Sequence, residues 1–165
     1  MDYVMWIDEN ENDIGEVERV RAHREGLLHR VSAVFLFNER GEILIQERVD
    51  GRLDHSSAGH VDPDESYHDA AIRELNEELG IKGVSLNEVG MCDSEERYKG
   101  EHRRHRIMIY KAQTNPVVLN TDEVKSVFWE NPQTILQKMK GDNECKIYAK
   151  GFNDTLVFYT NKNQS

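Results

Sequence analysis

The sequence predicts an α/β fold in a single domain spanning 1–165. Three observations carry that expectation. Segments 30–38 and 42–48 read as a strand pair about a turn, 66–79 reads as an amphipathic helix, and three further strand-like segments precede a second helix. At 165 residues the chain is long enough to bury a core without covalent staples.

The N-terminal part, about 1–28, reads as a strand and a connection. Tyr3 to Ile7 is a short apolar run, followed by an acidic, Asn-rich stretch to Asp13 and then Gly15, which suggests an edge strand and a turn. Residues 16–26 are charged and fit an irregular connection or a short helix. Residues 30–38 (Arg-Val-Ser-Ala-Val-Phe-Leu-Phe-Asn) form the strongest strand pattern, with a turn at 38–41 and alternating residues 42–48 as the hairpin partner. Residues 49–63 are loop-like, rich in Asp, Gly, Ser and His.

The clearest helix follows. Ser66 and Asp69 have capping-box spacing, and Ala71, Leu75 and Leu79 recur at four-residue steps with Ile72 beside them. Gly80 stands where a left-handed C-terminal cap favours glycine. Strands are expected at about 84–94, 106–113 and 124–130, and a helix at 132–140. Residues 153–159 are ambiguous between helix and strand, and about 160–165 is expected to fray.

Composition excludes several functions. Thirty-one acidic against 21 basic residues give a net charge of −10, which argues against a nucleic-acid binder. Apolar runs are short, such as 34–37, and none exceeds five residues, so no transmembrane helix and no membrane partner are expected. Residues Met1 to Val4 lack the features of a signal peptide, and two distant cysteines, Cys92 and Cys145, suggest reduced thiols; a cytoplasmic location is expected.

The helix is more acidic than its fold requires. Glu74, Glu77 and Glu78 fall at i, i+3 and i+4, where like charges repel unless something positive sits among them. Crowded carboxylate oxygens suit Mg²⁺ or Mn²⁺. A bare Glu-x-x-Glu-Glu is also the pattern of a solvated acidic face. A longer pattern separates the two: Gly59-x5-Glu65-x7-Arg73-Glu74-Leu75-x-Glu77-Glu78-x-Gly80-Ile81. Seven fixed residues and two aliphatic positions match by chance about once in a billion windows.

This stretch, 59–81, resembles the Nudix box at every defining position. The resemblance implies a Nudix-like α/β/α sandwich, with a mixed β-sheet between helices and the box as a loop-helix-loop. It implies a pyrophosphohydrolase using Mg²⁺ or Mn²⁺ to cleave a diphosphate linkage in a nucleoside diphosphate derivative or related organic diphosphate. Glu74, Glu77 and Glu78 would be catalytic metal ligands, with Glu74 also a base and Glu65 supporting, directly or through water. Arg73 would orient the glutamates, while Gly59 and Gly80 would be structural. The metals would polarise diphosphate oxygens and lower the pKa of an attacking water. A further acidic residue comes from a later loop, and Asp93, Glu95, Glu96, Glu101 and Glu123 all qualify.

Outside the box, 6–10, 27–30, 34–38 and 57–60 are similar to the isopentenyl-diphosphate isomerase branch. That branch needs a cysteine where this chain has Ala58, and expects glutamates where it has Arg103-Arg104-His105. His23 is offset by one residue from that branch's spacing. His29 and His60 have counterparts in its metal site and are read either as ligands or as hydrogen-bonded structural residues. Hydrolysis is therefore preferred to isomerisation, with a non-catalytic diphosphate-binding domain as a further alternative. The basic stretch 97–106 reads as a solvated hairpin loop or as a phosphate clamp through Arg103 and Arg104, with Arg48 and Arg52 as weaker candidates. The expected partner is a small diphosphate, and a homodimer follows by analogy with the family.

Overall fold

A computed structural model of the chain describes residues 2–115 and 119–163. Strands β1 (Tyr3–Ile7) and β2 (Asp13–Glu18) form an antiparallel hairpin closed by the Asp8 carboxylate, which accepts the N–H groups of Asn10 and Asn12. The sequence expectation missed β2, because Val17 is its only buried residue and pairing rather than burial defines it. Helix α1 (Arg19–Glu25) follows and stops at Gly26, whose φ of 68° is left-handed.

Strand β3 (His29–Phe37) is central to a seven-stranded mixed sheet. One side of it pairs in parallel with β8 (Glu101–Gln113), from His29 opposite His105 to Phe37 opposite Gln113. The other side differs from the expected hairpin. Strand β4 (Ile43–Arg48) meets β3 only at Phe37 and Ile43, and the four residues of β6 (Ser57–His60) pair with 31–34 instead. The segment 49–63 is thus not wholly loop: it holds β5 (Leu53–Asp54) and β6, strands too short and polar to announce themselves locally. Strand β4 is completed by β9 (Val124–Glu130), and β7 (Asn87–Tyr98) forms a long hairpin with β8. Residues 97–106 are therefore mostly strand, turning only at Lys99 and Gly100, both with positive φ.

Strand alternation sorts the core into two layers. Val31, Ala33, Phe35, Ile43, Ile45, Ile107 and Ile109 pack against Ile135 and Met139 of α3 (Pro132–Lys140) and Phe152 and Leu156 of α4 (Lys150–Asn163). The intervening residues Val34, Leu36, Leu44, Tyr110 and Ala112 pack against Ala71, Leu75 and Leu79 of α2 (Tyr67–Leu79). This is a mixed sheet between helices. Ser66 caps α2 by accepting the Asp69 N–H at 3.0 Å, and Gly80 ends it at φ 67°. Leu75 and Leu79 are fully buried, together contributing about 3–6 kcal/mol. The ambiguous tail is helix, since Phe152, Thr155 and Leu156 share its buried face. Of the tail expected to fray, about 160–165, residues 160–163 belong to α4, and residues 164 and 165 lie outside those described.

Candidate active site

The site forms where α2 crosses β6. Residues opposite each other in β3 and β6 share a face, so Ser57 and Gly59, paired with Val34 and Ser32, point towards α2. The approach at Gly59 is close: an added Cβ would lie 2.6 Å from Cγ of Glu74 and nearer still to its carboxylate. The Ser57 hydroxyl donates to Glu78 Oε1 at 2.7 Å, and the Ala58 N–H donates to the same oxygen at 3.1 Å. Glu123 arrives from the turn before β9. That turn is fixed to the last turn of α2 by the Asn120 N–H, which donates to the Glu78 carbonyl at 2.9 Å. Carboxylate oxygens of Glu74, Glu78 and Glu123 all lie within 4.8 Å of one another.

Glu74 and Glu78, buried side by side, resist ionising together. Burial raises Glu74 to about 7, against the opposing pull of Arg73. Burial likewise raises Glu78 to about 8, although the Ser57 and Ala58 hydrogen bonds favour its charged form. Neighbouring carboxylates push both further up. An all-oxygen, anionic donor set with unmet charge fits a hard divalent cation.

Arg73 organises the surroundings. Its Nε and Nη2 donate to both oxygens of Glu65 at 2.8 and 2.9 Å, Nη1 reaches Glu74 at 2.8 Å and Glu77 at 3.3 Å, and Nη2 also meets the His60 carbonyl. Those carboxylates hold the guanidinium firmly charged, Glu65 foremost. Glu65 is therefore engaged by Arg73 rather than grouped with the clustered carboxylates. Glu77 is half-exposed and lines the same cleft.

The cleft encloses about 820 Å³. Arg48 and Arg103 line it, with Arg48 paired to Asp54 at 3.2 Å and Arg103 to Glu101 at 2.6 Å. Arg104 lies on the opposite face of β8, pairing with Glu95 at 3.0 Å, so the structure does not bring it together with Arg103. Arg52 also lines the cleft but is buried, forked onto Glu96 at 2.8 and 3.0 Å and stacked 3.6 Å from the Tyr98 ring. Of the five later acids, Asp93, Glu95, Glu96 and Glu101 each face an arginine, and Glu123 joins the carboxylates.

A second cluster lies on the other face of β6. His60, one residue beyond Gly59, points away from α2 and meets His23, His29 and His105, their ring nitrogens within 4.8 Å of one another. Sequence reasoning left His29 and His60 open and missed the convergence of His23 and His105. The signal lay in the β3–β8 register, which sets His29 opposite His105 and cannot be read locally.

The NUDIX domain family matches residues 27–150. A Nudix hydrolase of Pseudomonas aeruginosa, described as uncharacterised, is 28% identical over 151 residues, 86% of each chain. An isopentenyl-diphosphate Delta-isomerase of Aliivibrio fischeri is 30% identical over 156 residues, also 86% of each. In three dimensions a Deinococcus radiodurans protein matches with a TM-score of 0.78 at 19% identity, covering 96% of this chain and 99% of its own. A MutT protein of Methanosarcina mazei matches at 0.67 and 20%, covering 84% and 96%. These two likenesses speak for the fold. The chain belongs to the Nudix family, as an enzyme of its pyrophosphohydrolase type. Among the described residues, no helix is long and apolar enough to cross a membrane.

Proposed function

We propose that the protein is a Mg²⁺- or Mn²⁺-dependent hydrolase that cleaves the diphosphate linkage of a nucleoside diphosphate derivative or related organic diphosphate. The observation that carries this is the convergence of Glu74, Glu78 and Glu123 beside Gly59. These three residues would hold the cation, with Glu77 close by on the same cleft. A bound divalent cation supplies charge to polarise the diphosphate oxygens and to acidify an attacking water. Ser57 and the Ala58 N–H fix the Glu78 carboxylate, while Arg73 orients Glu74 and Glu77 and ties Glu65 behind them. Arg48 and Arg103 offer planar donors for phosphate oxygens. Glu74, with its proton affinity near neutrality, suits a base.

Isomerisation is disfavoured by a specific absence. Ala58 stands at the isomerase cysteine position, and among the described residues neither Cys92 nor Cys145 lines the cleft. Burial also keeps the Cys92 thiol protonated, raising it to about 11. We further assign the protein to the cytoplasm, where two unpaired cysteines are stable, and to small-molecule substrates rather than nucleic acid, with a homodimer as its assembly.

The test is phosphate or diphosphate release across nucleotide and isoprenoid diphosphates, with and without Mg²⁺, for the wild type, Glu77→Gln and Glu78→Gln. Metal-dependent release that collapses in Glu78→Gln is expected. Conversion of isopentenyl diphosphate to its isomer without phosphate release would defeat the hydrolase reading, and no metal-dependent turnover on any substrate would leave a binding domain.

A further inference from the structure

Strand alternation puts four side chains of the β7–β8 hairpin on one face. Glu96 pairs across the ladder with Arg103, and Tyr98 with Glu101, so all four point the same way. This is the cleft side, since Glu96, Glu101 and Arg103 line the cleft itself. Arg52 enters the same face from the turn between β4 and β5. It is 2% exposed, forked onto the Glu96 carboxylate and hydrogen-bonded to the Cys145 carbonyl at 3.2 Å. Its guanidinium is thus firmly seated, and it lies over the Tyr98 ring, 3.6 Å from the centroid. The same ring also meets Arg103, whose Cζ stands 5.2 Å from the centroid, within the range of a cation–π contact.

The two contacts that hold Arg103 differ in what they leave free. Its Nε donates to the Glu101 carboxylate at 2.6 Å, which uses one edge of the guanidinium. A contact with an aromatic ring takes up none of the N–H groups. Tyr98 therefore restrains a long side chain while leaving its donors for phosphate oxygens. Glu101 is 41% exposed, and an exposed carboxylate is a weak rival for a phosphate dianion. An unrestrained arginine loses rotamer freedom when it grips a ligand, and prior stacking removes part of that cost.

We propose that Tyr98 is a positioning residue for phosphate recognition: its ring, seated on the Arg52–Glu96 pair, holds Arg103 so that the guanidinium meets the substrate's diphosphate already oriented. The inference rests on the proposed function for the class of ligand, but not on the chemistry of the carboxylates. Packing alone is the competing account, in which Tyr98 only shields the buried Arg52–Glu96 pair from water. That account predicts lost stability with no change in what Arg103 contributes to binding.

The test measures binding of inorganic diphosphate with Mg²⁺ by calorimetry in the full-length protein, alongside KM and kcat for any hydrolysed substrate. Arg103→Ala is expected to weaken diphosphate binding at least about tenfold. Tyr98→Leu is expected to weaken it, and to raise KM, by about 2–5-fold with kcat unchanged. Tyr98→Phe keeps the ring and should bind as the wild type does. In the Arg103→Ala background, Tyr98→Leu should cost nothing further. Lys99 supplies the charge control, because its Nζ is also 5.2 Å from the ring but the residue is exposed and away from the cleft lining. Lys99→Ala should leave binding unchanged. A second arm covers misfolding of Tyr98→Leu: the Tyr98 ring proton resonances, assigned by their loss in Tyr98→Phe, should shift on adding inorganic diphosphate to the wild type and not to Arg103→Ala. Equal losses from Tyr98→Leu with and without Arg103 overturn the proposal, as do weakened binding in Tyr98→Phe, an equal loss in Lys99→Ala, or ring resonances indifferent to diphosphate. Binding that follows the expected pattern without turnover of any substrate would overturn the hydrolase reading and leave the positioning role standing.

Discussion

Replacing Gly59 with alanine isolates the contact on which the carboxylate centre depends. The new methyl would lie 2.6 Å from Cγ of Glu74, where ordinary carbon contacts need about 3.5 Å or more, so the side chain must retreat by about 1 Å. Glu74 is not free to do so cheaply, since Arg73 Nη1 grips it at 2.8 Å and most of its side chain is buried. A displacement of about 1 Å in a catalytic group costs about a hundredfold in rate, equivalent to about 2.7 kcal/mol of transition-state stabilisation. The fold should survive, because Gly59 does not have a left-handed φ and overpacking costs about 1–3 kcal/mol. The assay is initial-rate phosphate release under saturating Mg²⁺, with urea unfolding in parallel. Gly15→Ala, where an added Cβ meets nothing within 4 Å, is the control expected to match the wild type. Turnover in folded Gly59→Ala within about threefold of wild type would refute the claim that backbone proximity sets the position of Glu74.

Ser57→Ala removes the hydroxyl that orients Glu78 and should raise the Mg²⁺ concentration for half-maximal activity by about 10–100-fold, read from a metal titration of initial rates. Arg103→Ala should raise KM while Arg104→Ala leaves it unchanged, because only Arg103 faces the cleft; equal effects would count against the assignment. Arg52→Ala strands the buried Glu96 carboxylate and should destabilise by about 3–5 kcal/mol in urea unfolding, whereas loss of the exposed Arg24 should cost under about 1 kcal/mol. In chelator the stability profile should be bell-shaped. From pH 6.5 to 8 the folded chain holds protons on Glu74 and Glu78 that the unfolded chain has released, so stability falls as pH rises. Below 6.5 the sign reverses, because four histidines, His23, His29, His60 and His105, all depressed by burial, stay neutral while their unfolded counterparts gain protons, outnumbering the two glutamates. Urea midpoints that climb steadily from about pH 5 to about pH 8 would contradict this account.

What could be read from the sequence was what local chemistry encodes. Ser66, Gly80 and the Ala71, Leu75, Leu79 spacing mark both ends and the buried face of α2 without reference to anything distant. β5 and β6 could not be read, since residues such as Ser57, Gly59 and His60 become strand only because β3 offers an unpaired edge. The same divide runs through the site. Box glutamates announce themselves by spacing, but singling out Glu123 requires knowing that Asn120 closes onto Glu78 and that the β7–β8 register consumes Asp93 and Glu95 on arginines. His23 and His105 lie 82 positions apart, and the cluster forms through long-range pairing, β3 with β8 setting His29 opposite His105 and β3 with β6 bringing in His60.

The alternation along β6 makes the two clusters mutually dependent under insertion and deletion. Gly59 belongs to the oxygen-rich face and His60 to the nitrogen-rich one, and the sheet assigns faces by parity alone. One residue gained or lost between Ser57 and Gly59 would turn His60 towards the α2 carboxylates and remove it from the other rings. Point substitutions can disrupt either cluster separately; a frame slip in this short strand disrupts both at once. Length variation is therefore expected to be tolerated in the turn at Lys99 and Gly100, where no Cβ contact constrains Gly100, and not in β6.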